Sequence, residues 1–208
     1  MKVLLILGCQ RSGTSLLASM LGRHKEINML YESITDDTFK LIGKEYQGNK
    51  LLLPRQIHFT KRASKFGYLI NRIINFHFRG YKYQKVRIYP SSKLSITDYL
   101  SRGAKLIVMT REKEATINSM IKRAGLSPSQ AEREYTQAMN LIQKLIQEGA
   151  FHVRFEDLLI ETETVLKNIC NFLDLEYDKR MLEGPKYNFV YPNDRIVKEK
   201  AITSNKKT

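Results

Sequence analysis

The chain has 208 residues, 42% of them hydrophobic, which is enough for one α/β domain with a sizeable core. Lysine and arginine number 35 against 21 acidic residues, and this net charge of +14 favours an anionic partner, although general surface basicity also explains part of it. The two cysteines, Cys9 and Cys170, lack the spacing of a zinc site or a disulfide framework. No stretch has the composition of a membrane span or a cleaved signal sequence, so we expect a soluble, reduced, cytoplasmic protein.

The first predicted elements are a strand, a glycine-containing loop and a helix. Residues 3–7 are a continuous apolar run, typical of a strand buried on both faces. Residues 8–14 are predicted to turn, and the apolar residues of 15–21 have helical spacing. The loop has the spacing G-x-x-x-x-G-x-S of a phosphate-binding loop, but Thr14 stands where nucleotide hydrolases have lysine. We expect its amides and the helix N-terminus to bind one anion, with Arg11 adding a positive charge.

The middle of the chain has two weaker strands and a long basic segment. A short strand is predicted to end near Leu30, with a helix beginning after Ser33, and a second apolar run covers 49–54. Residues 55–80 are basic, aromatic and partly helical, and 81–92 are irregular.

The second half alternates helices and strands. The pattern predicts a helix from Ser95 to Gly103 with Asp98 in a capping box, a strand at 104–110, a helix ending at Gly125, a helix from Ser127 to Ile146, a strand at 151–155, a helix at 156–175 and a basic tail at 184–208. Strands that alternate with helices predict an α/β fold, a three-layer sandwich in which helices flank a central parallel sheet.

Three motifs occur in order along most of the chain: "GCQRSGTSLL", "IVMTREKEATINSMI" and "VRFEDLL". Together they resemble the sulfotransferases that use 3′-phosphoadenosine 5′-phosphosulfate (PAPS). The resemblance implies a P-loop NTPase-like fold and a single sulfotransferase domain over 1–208. Leu16 and Phe155 stand where many members have tryptophan and tyrosine, which suggests a bacterial-type or carbohydrate-type branch.

The resemblance also assigns the residues that bind the donor. The glycine loop would hold the 5′-phosphosulfate, and the junction after the 104–110 strand would supply Arg111 and Ser119 for the 3′-phosphate. The donor-binding residues would be Gln10, Arg11, Ser12, Gly13, Thr14, Ser15, Arg111 and Ser119, and the product would be adenosine 3′,5′-bisphosphate.

Physical reasoning agrees with the assignment of Arg111. The residue follows a parallel strand, where such sheets bind ligands, and its planar guanidinium suits a phosphate dianion. Ser119, two helical turns later, lies on the same side of its helix at an offset of about 80°. Taken alone, Arg111 could instead form a surface ion pair with Glu112 or Glu114.

Sulfuryl transfer needs less cationic assistance than phosphoryl transfer, because the sulfuryl group carries one negative charge fewer, and so we expect no metal requirement. The acids nearest to a strand end are Glu156 and Asp157, and Asp157 is predicted to cap a helix.

The general base has two candidates, because the acceptor hydroxyl must lose a proton. Glu32 follows the short strand and His58 follows the 49–54 run, and related residues act as the base in different members of the family. Glu32 could instead be a helix-start acid and His58 a basic surface residue; we favour Glu32. Arg11 would stabilise the leaving phosphate, and Lys50 could stabilise the bridging oxygen.

The acceptor is expected to be a hydroxyl-bearing compound such as a carbohydrate or a lipid, bound at the insertion formed by 55–92. A P-loop nucleotide or small-molecule kinase is the alternative, and it would require the missing lysine and Mg²⁺. A non-enzymatic nucleic-acid binder rests on the charge alone, and we expect no nucleic acid as partner. Peripheral contact with a membrane stays open, whereas a membrane span is not expected.

Overall fold

The computed structural model describes residues 2–77 and 88–187, and within them five parallel strands form one sheet. The strands are β1 (Lys2–Cys9), β2 (Ile27–Tyr31), β3 (Tyr46–Leu53), β4 (Lys105–Thr110) and β5 (Phe151–Arg154). Their order in the sheet is β2-β3-β1-β4-β5. The chain leaves β1 towards β2 on one side and later returns to β4 on the other. A crevice therefore opens at the carboxyl ends of β1 and β4, where parallel sheets bind ligands.

Helices cover both faces of the sheet. They are α1 (Thr14–Leu21), α2 (Lys65–His77), α3 (Ile96–Leu100), α4 (Lys113–Ala124), α5 (Pro128–Gln147), α6 (Phe155–Ile160) and α7 (Thr162–Leu173), with 3-10 helices at Asp37–Phe39 and Lys179–Tyr187. None of the helices in the described part of the chain has both the length and the apolar composition that crossing a membrane requires.

The two cores follow from the alternation of side chains along β1. Leu4 and Ile6 pack with α1 and α7 on one face, whereas Leu5 and Leu7 pack with α5 on the other. All four side chains are buried, so the continuous apolar run at the start of the chain is a strand covered on both sides. The predicted three-layer α/β sandwich with a P-loop-like arrangement is confirmed.

The helix predicted after Ser33 is wrong. Only the short 3-10 helix Asp37–Phe39 forms there. The side chain of Asn49 on β3 accepts from the amide of Ser33 at 3.2 Å and donates to its carbonyl at 2.7 Å. These bonds hold the segment against the sheet, so its backbone groups are unavailable for a helical ladder.

The helix predicted over 156–175 is two helices, because Glu161 leaves the helical conformation at φ −117° and ψ 44°. Asp157 does not cap a helix. Arg154 occupies the N-cap position of α6, and Asp157 lies in the first turn, 3.7 Å from the guanidinium of Arg154. A carboxylate in a first turn still interacts favourably with the helix dipole.

The first residues of the predicted basic tail, from Gly184 to Tyr187, are helical in the described part of the chain. Gly184 belongs to the 3-10 helix Lys179–Tyr187 and packs against α1 so closely that a Cβ there would lie 2.3 Å from the Cα of Met20. The rest of the predicted tail, 188–208, and residues 81–87 of the predicted irregular loop lie outside the described residues. The capping box of Ser95 and Asp98 is confirmed at the start of α3.

Candidate active site

The glycine loop joins β1 to α1 through two residues in the left-handed region, Arg11 at φ 72° and Gly13 at φ 94°. Gly13 is the N-cap residue of α1, and within the described part of the chain no side chain caps that helix. A Cβ on Gly13 would lie 2.3 Å from the Phe155 ring, so both its conformation and its neighbour require glycine. The loop thus presents the N-terminus of α1 to the crevice, a suitable geometry for an anion.

The loop hydroxyls have different surroundings. Ser12 is buried, and its hydroxyl donates to the carbonyl of Cys9 at 2.8 Å, which stabilises the turn itself. Thr14 is also buried, whereas Ser15 is half-buried at the start of α1. Burial raises the pKa of the neighbouring Cys9 thiol to about 12, so that thiol stays protonated at neutral pH.

Arg11 connects the loop to α4. Its Nε donates to the hydroxyl of Ser119 at 2.8 Å, although 108 positions separate the two residues. Arg111, directly after β4, donates to the Arg11 carbonyl at 3.2 Å, and its guanidinium lies 4.7 Å above the Phe155 ring. The structure therefore brings residues from all three sequence motifs together at the β1–β4 crevice.

The crevice is electropositive. Burial lowers the pKa of the half-buried Arg111, and the nearby charge of Arg11 makes the next largest contribution. The guanidinium of Arg111 nevertheless remains protonated, because the ordinary pKa of arginine is far above neutral pH. The carboxylate of Glu112, a candidate ion-pair partner of Arg111 in the sequence, accepts from the amides of Glu114 and Ala115 and so caps α4. Two neighbouring half-buried arginines favour a bound anion between or beside their guanidinium groups.

Gln10 lies at the opposite end of the loop and contacts Arg55. The amide oxygen of Gln10 accepts a hydrogen bond from that guanidinium, which also lies 5.3 Å from the ring centre of Tyr89 and 3.9 Å from Glu134. Sequence reasoning counted Arg55 only as part of a basic segment. Its position just after β3, at the same edge of the sheet as the loop, is the signal that could have identified it.

Glu32 is the centre of a buried polar cluster with Lys50 and Gln56. It is 2% exposed and adopts φ 59°, an uncommon conformation for a residue with a side chain. One carboxylate oxygen forms an ion pair with the ammonium of Lys50, and the other accepts from the amide of Gln56 at 2.6 Å. Both oxygens are thereby engaged; Gln56 was missed in the sequence because a buried amide has no pattern of its own.

His58 has different surroundings from Glu32. Its ring is half-buried, and no group in the described part of the chain bonds its buried Nδ1. Burial, with a smaller effect from the charge of Lys61, lowers the pKa of His58. The imidazole is therefore largely neutral at pH 7 and retains a lone pair that can take a proton.

Within residues 2–77 and 88–187, no three His, Cys, Asp and Glu side chains come together as a metal site would require. Glu156, an acid close to the crevice, accepts from the amide of Glu112 at 2.9 Å. That bond links α6 to the start of α4 and helps to hold the β4 and β5 ends together.

A model described as "Sulfotransferase family" matches residues 4–179 of the chain. The chain belongs to the sulfotransferase family. It is 25% identical over 195 residues to a putative protein-tyrosine sulfotransferase of Caenorhabditis briggsae, a match that covers 84% of this chain and 66% of the relative. It is 23% identical over 195 residues to protein-tyrosine sulfotransferase A of Caenorhabditis elegans, covering 84% of this chain and 50% of that protein. This sulfotransferase-family chain thus spans less than two thirds of the length of either relative.

Two solved structures share the fold of this sulfotransferase-family protein. The sulfotransferase domain of the Synechococcus PCC 7002 olefin synthase has a TM-score of 0.55 at 19% identity and covers 88% of this chain and 77% of its own. The mouse sulfotransferase SULT7A1, complexed with PAP, has a TM-score of 0.53 at 12% identity and covers 90% of this chain and 63% of its own. At these identities the likeness concerns the fold.

Proposed function

We propose that this sulfotransferase-family protein moves the sulfuryl group of PAPS to an acceptor hydroxyl. The observation that carries the proposal is the meeting of the α1 N-terminus, Arg11, Ser119 and Arg111 in one crevice. The mouse sulfotransferase of similar fold is described as complexed with PAP, which supports a donor of this type. A cytoplasmic location and independence from metals remain predictions.

The residues of the crevice fit a ligand with two anionic groups. The loop amides and the α1 N-terminus would hold one group, and the paired guanidinium groups together with Ser119 would hold the other. The ring of Phe155, which already stacks on Arg111, lies beside both. The second anionic group would explain why Arg111 is half-buried without a carboxylate in contact among the described residues.

In the reaction we propose, the acceptor oxygen forms a bond to sulfur as the bond from sulfur to the phosphate oxygen breaks. When bound, PAPS supplies the activated sulfuryl group. The loop amides and Arg11 would stabilise the negative charge that remains on the leaving phosphate. The acceptor proton would pass to a basic side chain of the protein.

Of the two candidate bases, the surroundings of His58 favour it over Glu32. Both carboxylate oxygens of Glu32 are already engaged, with Lys50 and with Gln56, and the residue is only 2% exposed, so neither oxygen is open to an acceptor hydroxyl. We therefore propose that His58 takes the proton and that Glu32 positions Lys50. Because the pKa of His58 is lowered, kcat/KM would rise with pH up to a value below the ordinary histidine pKa of 6.5 and then level off.

The acceptor we propose is a carbohydrate, a lipid or a tyrosine side chain. Each offers a hydroxyl, and the first two match the basic and aromatic segment 55–92. Tyrosine is included because two relatives are described as protein-tyrosine sulfotransferases.

The test is transfer of labelled sulfate from PAPS to a panel of these three acceptor classes, with and without EDTA, and with labelled Mg-ATP as the competing donor. We expect a labelled sulfate ester from PAPS without metal. Transfer from Mg-ATP alone would instead support the kinase alternative. His58→Asn should lose at least about a hundredfold in kcat while still binding adenosine 3′,5′-bisphosphate. Full activity of His58→Asn together with inactive Glu32→Gln would reassign the base to Glu32.

A further inference from the structure

Helix α2 carries an exposed apolar stripe. Phe66, Leu69 and Ile73 are 69%, 53% and 52% exposed, and their spacing of three and four residues aligns them along one side of the helix. Single exposed apolar residues are ordinary on protein surfaces, whereas three large ones aligned on one helix form a continuous patch.

The opposite side of α2 is attached to the protein. The side-chain amide of Asn71 donates to the carbonyl of Ile88 at 2.8 Å and accepts from its amide at 3.2 Å. Gly67 packs against the same residue, since a Cβ there would lie 2.8 Å from the Cγ2 of Ile88. The orientation of α2 about its axis is therefore set, and the apolar stripe faces away from this contact.

The sequence segment that contains the stripe is strongly basic. Lys65 and Arg72, both exposed, are seven residues apart and border the stripe on one flank, about 40° and about 60° from Leu69, respectively. From Tyr46 to Thr97 the sequence has no Asp or Glu and eleven Lys or Arg, out of 35 in the whole chain. Most of the net charge of +14 is thus concentrated in the segment that contains α2.

We propose that α2 docks onto an anionic lipid surface. Its apolar stripe would enter the boundary between headgroups and acyl chains, and Lys65 and Arg72 would contact lipid phosphates. The charge complementarity favours a lipid surface over a protein partner, because an apolar helix stripe bordered by lysine and arginine is the pattern of helices that lie on anionic membranes. This inference goes beyond the proposed function and does not depend on it.

A series of contacts connects α2 with the crevice. The chain returns from α2 to Tyr89, whose hydroxyl donates to Glu134 at 2.9 Å and whose ring lies against Arg55. Arg55 in turn contacts Gln10 of the glycine loop. Contacts on the face of α2 that points away from the proposed lipid surface therefore connect the helix with the donor loop.

The experiment is sedimentation of the full chain with vesicles of phosphatidylcholine alone or with about a third phosphatidylserine, at about 0.1 M and 0.5 M NaCl. We expect binding to the anionic vesicles to be at least about tenfold tighter and to weaken with salt. The double variant Leu69→Gln and Ile73→Gln should weaken it about tenfold. Matched controls are Ile42→Gln and Ile160→Gln, 84% and 66% exposed elsewhere on the surface, which should change it less than about twofold.

A second pair, Lys65→Gln and Arg72→Gln, should weaken binding to anionic vesicles about fivefold per charge and leave binding to neutral vesicles unchanged. Absence of binding to anionic vesicles, or equal losses in the α2 and control variants, would overturn the proposal. The proposal would also be overturned if the α2 variants bound heparin more weakly than the wild type but bound vesicles equally well. That result would indicate a polyanion partner. Each variant is tested for binding of adenosine 3′,5′-bisphosphate, which shows that it is folded. If the wild type itself did not bind the bisphosphate, that result would contradict the proposed function but not the docking of α2.

Discussion

The carboxyl edge of the sheet has two sides whose charged residues are arranged in opposite ways. On the side where we propose that the donor binds, here called the donor side and formed by the glycine loop, Arg111 and Ser119, the guanidinium of Arg111 lies over the Phe155 ring and within reach of the charge of Arg11. On the other side, formed by Glu32, Lys50 and Gln56 and called the acceptor side because we propose that the acceptor binds next to it, the charges of Glu32 and Lys50 neutralise one another out of contact with solvent. A cationic crevice is suited to receive a ligand, whereas a closed ion pair is suited to hold a wall of the site in position.

The largest effect should come from Lys50→Met on the acceptor side. The change leaves the buried carboxylate of Glu32 without its cation, and it should cost about 3–5 kcal/mol of unfolding free energy in urea denaturation. The double variant Glu32→Gln and Lys50→Met should recover a large part of that loss, because neither charge remains.

Lys105→Met is the control for this experiment. Lys105 forms its ion pair with Asp174 at 2.7 Å on the surface, and its loss should be much smaller. If Lys50→Met were no more harmful than Lys105→Met, the acceptor side would be solvated in the same way as the donor side, and the contrast between the two sides would fail.

The second effect concerns the donor loop. Gly13→Ala should lose about 2–5 kcal/mol, because it adds a side chain at φ 94° and forces a Cβ into the ring of Phe155. Gly43 has nearly the same φ, 93°, but a Cβ there meets nothing within 4 Å. Gly43→Ala should therefore lose only about 1–2 kcal/mol, the backbone contribution. Equal losses in thermal or urea unfolding would mean that the loop and Phe155 are not in contact.

The third effect is on ligand binding. Arg111→Ala should weaken adenosine 3′,5′-bisphosphate by about 1.5–3 kcal/mol, or roughly ten- to 150-fold, in titration calorimetry, because charge-assisted bonds are lost. Arg133→Ala, an exposed arginine of α5, should leave the affinity within about twofold. Similar affinities for the two variants would mean that the 3′-phosphate does not bind at Arg111. The two sides of the sheet edge would then not differ in ligand binding as we propose.

The smallest effect is on how stability depends on pH, and it comes from Asp98, which connects the basic segment to α3. Hydrogen bonding from Arg62 is the main cause that lowers the pKa of Asp98 to about 2 from its ordinary 3.8. A depressed carboxyl pKa contributes stability that is present above pH 3.8 and is lost as the pH falls through about 2. Asp98→Ala should cost about 1 kcal/mol at neutral pH through the lost capping box, with a weaker decline in acid. If the free energy of unfolding in urea fell with decreasing pH equally in Asp98→Ala and in the wild type, this role of Asp98 would be contradicted.

Much of the donor side could be predicted from the sequence because its residues lie in continuous motifs. An apolar strand followed by glycines and a helical pattern specifies the loop, and the second strand-to-helix pattern puts Arg111 directly after β4 and Ser119 on α4. The bond from Arg11 to Ser119 and the contact of Gly13 with Phe155 could not be predicted in the same way. They depend on how β1, β4 and β5 are ordered in the sheet, which local patterns do not contain.

The acceptor side could be predicted only in part: Glu32 and Lys50 were candidates, whereas their ion pair, Gln56 and the beginning of β3 were not predicted. The strand β3 begins at Tyr46, but its polar residues Gln47, Asn49 and Lys50 concealed the beginning from a search for apolar runs. These side chains are buried because partners from neighbouring segments satisfy them, as Asn28 does for Gln47 at 3.0 Å. Buried polar networks are specified by their partners in space, so a strand built this way does not have the hydrophobic pattern by which strands are recognised.

The most direct test of the account is a thermal shift of the wild-type protein with adenosine 3′,5′-bisphosphate, compared with ADP and with ATP, each with and without Mg²⁺. At a hundred times its dissociation constant, a ligand stabilises the native state by about 2.7 kcal/mol, which for a chain of this size is a shift of roughly 5–10 °C. We predict this shift with the bisphosphate in the absence of metal, a smaller one with ADP, and its loss in Arg111→Ala. A shift with Mg-ATP alone would contradict the account and identify the crevice as the site of a kinase.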